Sequence, residues 1–237
     1  MFDNYYEVFL ADTRESKEIN YSIRYKTYCE EMGFENKDNF PRAQEFDDHD
    51  QHSVHFIVRD KSTEQWVGAI RLIFQNDQAL PIVQYCNLQE QIDKNNIKPA
   101  VELSRLCVLK DVRRKGLVDI ASNYDSAYKN KTTQATERKQ SLYSQNKTNR
   151  SIIWGLFNAV TEYCYSNNIE TWYFITTISL AKVLRKGGCN IMNIGAPCSH
   201  NGERYPFKKD VVDTYFNEDW RKNYKNSYRV FSELAAQ

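Results

Sequence analysis

The chain has 237 residues, 41% of them hydrophobic and 14% aromatic, with a formal net charge of +1. That is enough apolar material for a packed core, which excludes a disordered polyelectrolyte, and the charge balance gives no general attraction for nucleic acid. The length suits one large domain.

No apolar run approaches the roughly 18 residues that a membrane span needs. The N-terminus is acidic and aromatic rather than basic and then apolar, so a cytoplasmic protein is expected, with peripheral contact at a membrane surface left open. The six cysteines stand at 29, 86, 107, 164, 189 and 198, and none forms a CxxC pair. The histidines at 49, 52, 55 and 200 do not cluster with them. Reduced thiols and no metal site are therefore expected.

In chain order, "YYEVFLA" (5–11) reads as a first strand. Asp12 or Thr13 can cap the helix after it. Tyr21, Tyr25, Tyr28 and Met32 recur at helical spacing and make one apolar stripe, with Arg24 on its edge and Gly33 as the stop. Residues 35–53 form a polar loop that is acidic between Glu45 and Asp50. "VHFIVRD" (54–60) and "QWVGAIRLIF" (65–74) read as an antiparallel pair joined by a polar turn. Residues 80–96 read as irregular or a short helix, and 102–109 as a further strand.

Residues 119–150 are rich in Ser, Thr, Asn, Gln and Lys and poor in aliphatics. They read as a mobile polar insertion within a single domain spanning 1–237, because the pattern resumes afterwards. An apolar helix with a Ser cap is expected at 151–168, then a buried strand at 171–177. Next come a helix capped by Ser179 and stopped by two glycines, strands at 189–195 and "ERYPFKKD", and a closing helix from "VVDTYFNEDWRKNYKN". Hairpins leading into a crossover unit predict an α/β (α+β) fold: a mixed, mostly antiparallel central sheet flanked by helices.

The chemistry concentrates where charge interrupts apolar segments. Glu102 and Arg105 stand inside the strand "VELSRLCVL", Arg71 inside "GAIRLIF", Arg24 on the helix, and Asp47 and Asp50 on the acidic loop. A buried carboxylate is costly unless paired or protonated. Glu102 and Arg105 can simply neutralise one another; alternatively, the six groups form one balanced cleft in which a carboxylate is tuned towards neutrality as a general base. The turn Arg113, Arg114, Lys115 and Gly116 comes directly after a strand, and such a turn binds phosphate or an acidic carrier protein when it is not merely solvated. Trp154, Phe157, Trp172, Tyr173 and Phe174 are either core or the walls of an apolar tunnel. Cys107 lies inside a strand with no partner histidine in view, which argues against a covalent route.

The segments "IRYKTYCEEMGF", "EFDDHD", "VGAIRL" and "ELSRLCV" resemble, in order and separation, the signature of acyl-homoserine-lactone synthases. The later stretch "SLAKVLRKGGCNIMNIGAPCSHNGERYPF" is similar instead to long-chain N-acyl amino acid synthases and to the acyltransferases of exosortase (PEP-CTERM) systems. There Gly195, Pro197, Gly202, Arg204 and Pro206 match the pattern.

The resemblance implies a GNAT-like acyltransferase that takes its acyl group from acyl–acyl carrier protein, or acyl-CoA, as a co-substrate, with no permanently bound cofactor. It implies Glu102 as base, acting directly or through water, and Arg24, Asp47, Asp50, Arg71 and Arg105 as the polar cluster ordering cleft wall and acceptor, with Arg24 or Arg71 for an acceptor carboxylate. Tyr28, Phe34, Trp154 and Phe174 are expected around the substrate, and backbone N–H groups near Leu106, Cys107 and Val108 to hold the oxyanion. Phe34 stands near where those synthases usually have a tryptophan, and Tyr28 where phenylalanine is common. These departures favour an amino acid acceptor over S-adenosylmethionine. Two other readings are an acetyl-CoA-dependent N-acetyltransferase, which expects a fuller glycine loop than "RRKGLV", and a non-catalytic acyl-carrier-binding module.

Overall fold

The computed structural model describes residues 2–75, 79–90, 92, 99–112, 151–218 and 224–235. The polar insertion at 119–150 and the turn Arg113, Arg114, Lys115 and Gly116 lie outside the described residues.

The first strand, β1 (Tyr6–Leu10), leads into α1 (Arg14–Tyr25). Thr13 caps that helix: its hydroxyl accepts from the Ser16 N–H at 3.1 Å, and the Ser16 hydroxyl accepts from the Thr13 N–H at 3.0 Å. The helix then widens into a π-helical turn, Lys26–Glu31. The buried face of this unit is Ser16, Asn20, Ile23, Arg24 and Thr27, whereas Tyr21, Tyr25 and Tyr28 are half-buried and Met32 is exposed. The expected tyrosine stripe is therefore not the inward face, and Arg24 sits at the centre of that face rather than on an edge. A hydrophobicity pattern cannot reveal a helix that buries its polar side against charges from elsewhere.

The pair β2 (Ser53–Asp60) and β3 (Trp66–Phe74) is antiparallel, with His55 opposite Arg71. A one-turn helix, α2 (Ile82–Tyr85), precedes β4 (Ala100–Val108). Helix α3 covers 151–166 and leads to β5 (Thr171–Thr176) and α4 (Ile178–Lys186). Ser151 is itself helical, so it is not a cap. The cap of α4 is Thr177, whose hydroxyl accepts from Leu180 N–H, not Ser179.

The strand expected at 189–195 shrinks to β6 (Met192–Asn193), because only those two residues pair with β8 (Glu203–Asp210). Between them β7 (Cys198–Ser199) forms a short arm with β8. The closing helix stops early: α5 is Val211–Tyr215. The chain then adds β9 (Tyr228–Val230) and α6 (Phe231–Ala235).

The sheet runs β6-β8-β5-β4-β3-β2-β1-β9, with β7 paired to β8. Pairing is parallel for β4–β5 and β1–β9 and antiparallel elsewhere. The mixed α/β sheet flanked by helices is the one expected. One face carries the main core, where Ile152, Leu156 and Val160 of α3 meet Leu72, Val101 and Trp172. A second cluster joins Phe9, Ile57 and Cys107 to Ile23 and Phe231, and a third packs Leu80 and Ile82 on Tyr173 and Ile194. Among the described residues no helix is long and apolar enough to cross a membrane.

The centre of the sheet departs from regularity at two places. The parallel ladder between β4 and β5 holds only from Ala100 opposite Thr171 to Glu102 opposite Tyr173. Beyond Glu102 the two strands diverge. The β3–β4 register slips between Ala69 and Arg71, where Arg105 has a left-handed φ of 52°. Such a bulge twists its strand and re-aims backbone groups.

The expectation of six reduced thiols is corrected for one pair. Cys86 and Cys198 are disulfide-bonded, with Cα atoms 5.2 Å apart. They lie 112 residues apart in sequence, so only the folded chain brings them together. Cys29, Cys107, Cys164 and Cys189 are free and buried.

Candidate active site

A cavity of about 380 Å³ opens where β4 and β5 part. Its deep end is apolar, made by Ile70, Leu103, Phe157, Phe174, Leu180 and Leu184. One wall is charged, with Asp47, Arg71, Ser104 and Arg105. Met32, Phe34, Tyr85, His200 and Arg204 complete the lining.

Glu102 lies in this cavity at the last position where β4 pairs with β5, and is only 3% exposed. One carboxylate oxygen, Oε2, accepts from the Ile82 N–H at 2.7 Å. Burial pushes its pKa up to about 8, against the pull of that N–H and of the Arg71 and Arg105 charges. Glu102 and Arg105 do not neutralise one another: among the described residues Arg105 pairs with Glu45, Asp47 and Glu35.

The wall is an interlocked set of three guanidiniums and three carboxylates. Arg24 donates from Nε to Glu45 at 2.5 Å and from both terminal nitrogens to Asp50 at 2.6 and 3.0 Å. Arg71 donates from Nη1 to Asp47 at 2.6 Å and to Asp50 at 2.9 Å, and from Nε to the Ser104 hydroxyl at 2.9 Å. Arg105 donates from Nη2 to Glu45 at 3.0 Å and to Asp47 at 3.2 Å. Asp47 also opens the 3-10 turn Asp48–His52 as a capping box, accepting from the His49 N–H while Asp50 accepts from the Asp47 N–H.

Burial disfavours charge on Asp50, but the Arg24 hydrogen bonds and the Arg24 and Arg71 charges outweigh it and hold the carboxyl well below the usual range. Glu45 and Asp47 are lowered in the same way, burial opposing and their arginine partners prevailing. Such a set is stable only when complete, because each buried charge depends on its partners.

Of the residues singled out from sequence, Tyr28, Phe34, Asp47, Arg71, Glu102, Arg105, Leu106, Phe157 and Phe174 line the cavity. Tyr28 donates to the Leu106 carbonyl at 3.4 Å, and its ring lies 5.2 Å from the Arg105 guanidinium. Arg24 and Asp50 stand behind the wall and do not line the cavity. Arg24 is wholly buried with each of its guanidinium nitrogens bonded to Glu45 or Asp50, so it is not free to hold an acceptor carboxylate.

Cys107 and Val108 are packed into the cores, and burial pushes the Cys107 thiol up to about 12, unsuited to a nucleophile. Trp154 packs against Phe157 and over Gly187 instead of forming the cavity wall. Trp172 is core, with its indole N–H on the Cys164 sulfur, and Tyr173 packs in the third cluster.

Sequence reading misses Glu45, Ser104, His200 and Tyr85 as site residues. Glu45 has a signal, since it opens the E-x-D-x-x-D spacing of "EFDDHD". Ser104 sits between Glu102 and Arg105 on the same strand. His200 and Tyr85 have no signal, because one comes from the β7–β8 turn and the other from α2, and only folding brings their rings within 4.2 Å.

Residues 23–123 match the model of the acetyltransferase (GNAT) domain. No protein of curated function matches the chain in sequence. Solved structures share its fold. The CoA-dependent acyl-homoserine lactone synthase BjaI, with SAM and isopentyl-CoA, is 16% identical, with a TM-score of 0.65 over 95% of this chain and 92% of that one. The acyl-homoserine lactone synthase LasI is 12% identical, with a TM-score of 0.58 over 94% and 95%. FeeM, an N-acyl amino acid synthase from uncultured soil microbes, is 12% identical, with a TM-score of 0.50 over 92% and 94%.

The match over residues 23–123 and the fold shared with these structures together give the chain a GNAT architecture. Its architecture is the one shared by acyl-homoserine lactone synthases and FeeM, the two groups its sequence motifs resemble.

Proposed function

We propose that the chain is an N-acyltransferase that moves a fatty acyl group from the thioester of an acyl carrier protein to the amine of an amino acid. The observation that carries this reading is Glu102: a buried carboxyl with a pKa near 8, at the point where the sheet opens onto a cavity with one apolar end.

The acceptor nitrogen attacks the thioester carbonyl carbon, forming the C–N bond. Glu102 takes the proton that the nitrogen sheds, directly or through water, and the C–S bond breaks with the sulfur leaving as a thiolate, which takes up a proton from water. Such a base is worth roughly 10² to 10⁴ in rate. Backbone N–H groups at the Arg105–Leu106 bulge stand beside the opening and suit the oxyanion, a contribution of about 10² to 10³. The deep end lined by Phe157, Phe174, Leu180 and Leu184 suits an acyl tail.

The choice of a carrier protein as donor rests on the basic turn Arg113, Arg114 and Lys115, and that of an amino acid as acceptor on the later motifs together with Phe34 and Tyr28. In this reading the chain is one domain carrying an insertion at 119–150, works in the cytoplasm, and meets its donor as a co-substrate. A second reading is synthesis of a homoserine lactone from S-adenosylmethionine, favoured by the higher TM-score to BjaI, 0.65, than to FeeM, 0.50.

Purified protein supplied with acyl–acyl carrier protein or acyl-CoA, and with amino acids or S-adenosylmethionine, separates the two. An N-acyl amino acid in the mass spectrum supports the first reading. A lactone with methylthioadenosine replaces it by the second.

A further inference from the structure

The β7–β8 arm carries a cation into the cavity that the wall network does not use. Cys198 pairs with Arg204 and Ser199 with Glu203. The turn between them runs through Asn201 (φ 52°) and Gly202 (φ 92°). The arm is tied down twice, by the Cys86–Cys198 bond and by the contact of Tyr85 with His200. His200, Asn201 and Arg204 all line the cavity.

The other two arginines there are already neutralised. Arg71 is bonded to Asp47 and Asp50, and Arg105 to Glu45 and Asp47. Arg204 is half-buried, and among the described residues its hydrogen bond goes only to the Glu203 carbonyl, at 3.1 Å, with no carboxylate in ion-pair range. His200 beside it does not compete for an anion: burial and the charges of Arg105 and Arg204 lower its pKa, so it is neutral at pH 7.

Strand register places this cation relative to the base. Glu102 is opposite Tyr173, and Tyr173 is opposite Lys208, so all three share one face of the sheet. Alternation along β8 returns Arg204 to that face, roughly 13 Å along the strand from Lys208. Phe174, Phe207 and Tyr205 take the other face, with the main core. Arg204 is thus on the same side of the sheet as Glu102, where a molecule presenting its amine to Glu102 extends towards the arm.

We propose that Arg204 binds the carboxylate of the acceptor, making the enzyme selective for α-amino acids over simple amines. The inference builds on the acyltransferase reading and holds for a free amino acid or for S-adenosylmethionine, since both carry an α-carboxylate beside the amine.

The test is titration calorimetry and steady-state kinetics on the full chain, wild type against Arg204→Gln and Arg204→Lys. The probes are the common amino acids and their carboxamides, and S-adenosylmethionine with its decarboxylated form. The wild type is expected to favour each carboxylate over its neutral counterpart by about 10- to 100-fold, the size of a charged hydrogen-bonded contact. Arg204→Gln brings that ratio close to one, Arg204→Lys keeps part of it, and the donor KM stays unchanged.

A ratio unmoved by Arg204→Gln overturns the inference, as does a rise in donor KM with acceptor binding intact, which reassigns Arg204 to the donor's phosphates. If S-adenosylmethionine alone is acylated, the amino acid reading of function fails while the ratio still judges Arg204. If the wild type binds no carboxylate-bearing amine, the inference fails outright.

Discussion

The burial that raises the Glu102 carboxyl to a pKa of about 8 also sets it beside the cavity. Glu102→Gln keeps an acceptor for the Ile82 N–H but cannot take a proton, so acyl transfer is expected to fall about 10² to 10⁴-fold in a direct product assay. Full activity in that variant would mean another group is the base. The wild-type rate should climb with pH through about 8 as the carboxylate forms.

Stability runs the opposite way. The folded pKa is raised above the ordinary 4.5, so the contribution of Glu102 is complete below that value and is lost as pH rises to about 8. Denaturant titrations at pH 5 and pH 9 should therefore show Glu102→Gln gaining on the wild type at the higher pH.

Arg24 presents the converse case, a permanent charge whose removal strands Glu45 and Asp50. Arg24→Gln is expected to cost roughly 3–5 kcal/mol in unfolding free energy. Five of the six wall charges can be picked out in sequence, because each interrupts or borders an apolar segment or closes the acidic motif. Glu45 opens the same acidic motif and so is legible too, but its burial against Arg24 comes only with folding.

Among the elements, β4 and the loops around it make the site. Its hydrophobic residues identify it as a strand, but where its ladder with β5 ends and where Arg105 bulges depend on partners across the sheet. The helix α1 shows the same division. Its existence and its Thr13 cap come from local chemistry, whereas the π turn and the inward direction of Arg24 come from the neighbours it packs against. Gly195 fixes another junction: a Cβ there would sit 2.4 Å from the Asn87 carbonyl and 3.1 Å from Pro206. Backbone on one side cannot give way, so Gly195→Ala is expected to destabilise by about 1–3 kcal/mol, read as a lower thermal midpoint. A midpoint equal to the wild type would show that Asn87 and its loop are free to shift.

At the scale of the whole molecule, the Cys86–Cys198 bond ties α2, which donates to Glu102, to the arm that carries Arg204. Alkylation under denaturing conditions without reductant should label four thiols, those of Cys29, Cys107, Cys164 and Cys189. Labelling of all six would show the pair to be reduced. Breaking the bond with dithiothreitol or Cys198→Ser is expected to cost about 2–4 kcal/mol.

By itself the sequence determined the alternation of strands and helices, the clustering of charge on apolar segments, and the motifs that resemble N-acyl amino acid and acyl-homoserine-lactone synthases. These are local properties, written in spacing and residue type. Only the tertiary structure decided which charges face the cavity and which brace its wall, that Cys86 meets Cys198, and that Arg204 shares a face with Glu102. Those outcomes depend on groups tens to more than a hundred residues apart, whose burial and pairing exist only once the sheet has closed around them.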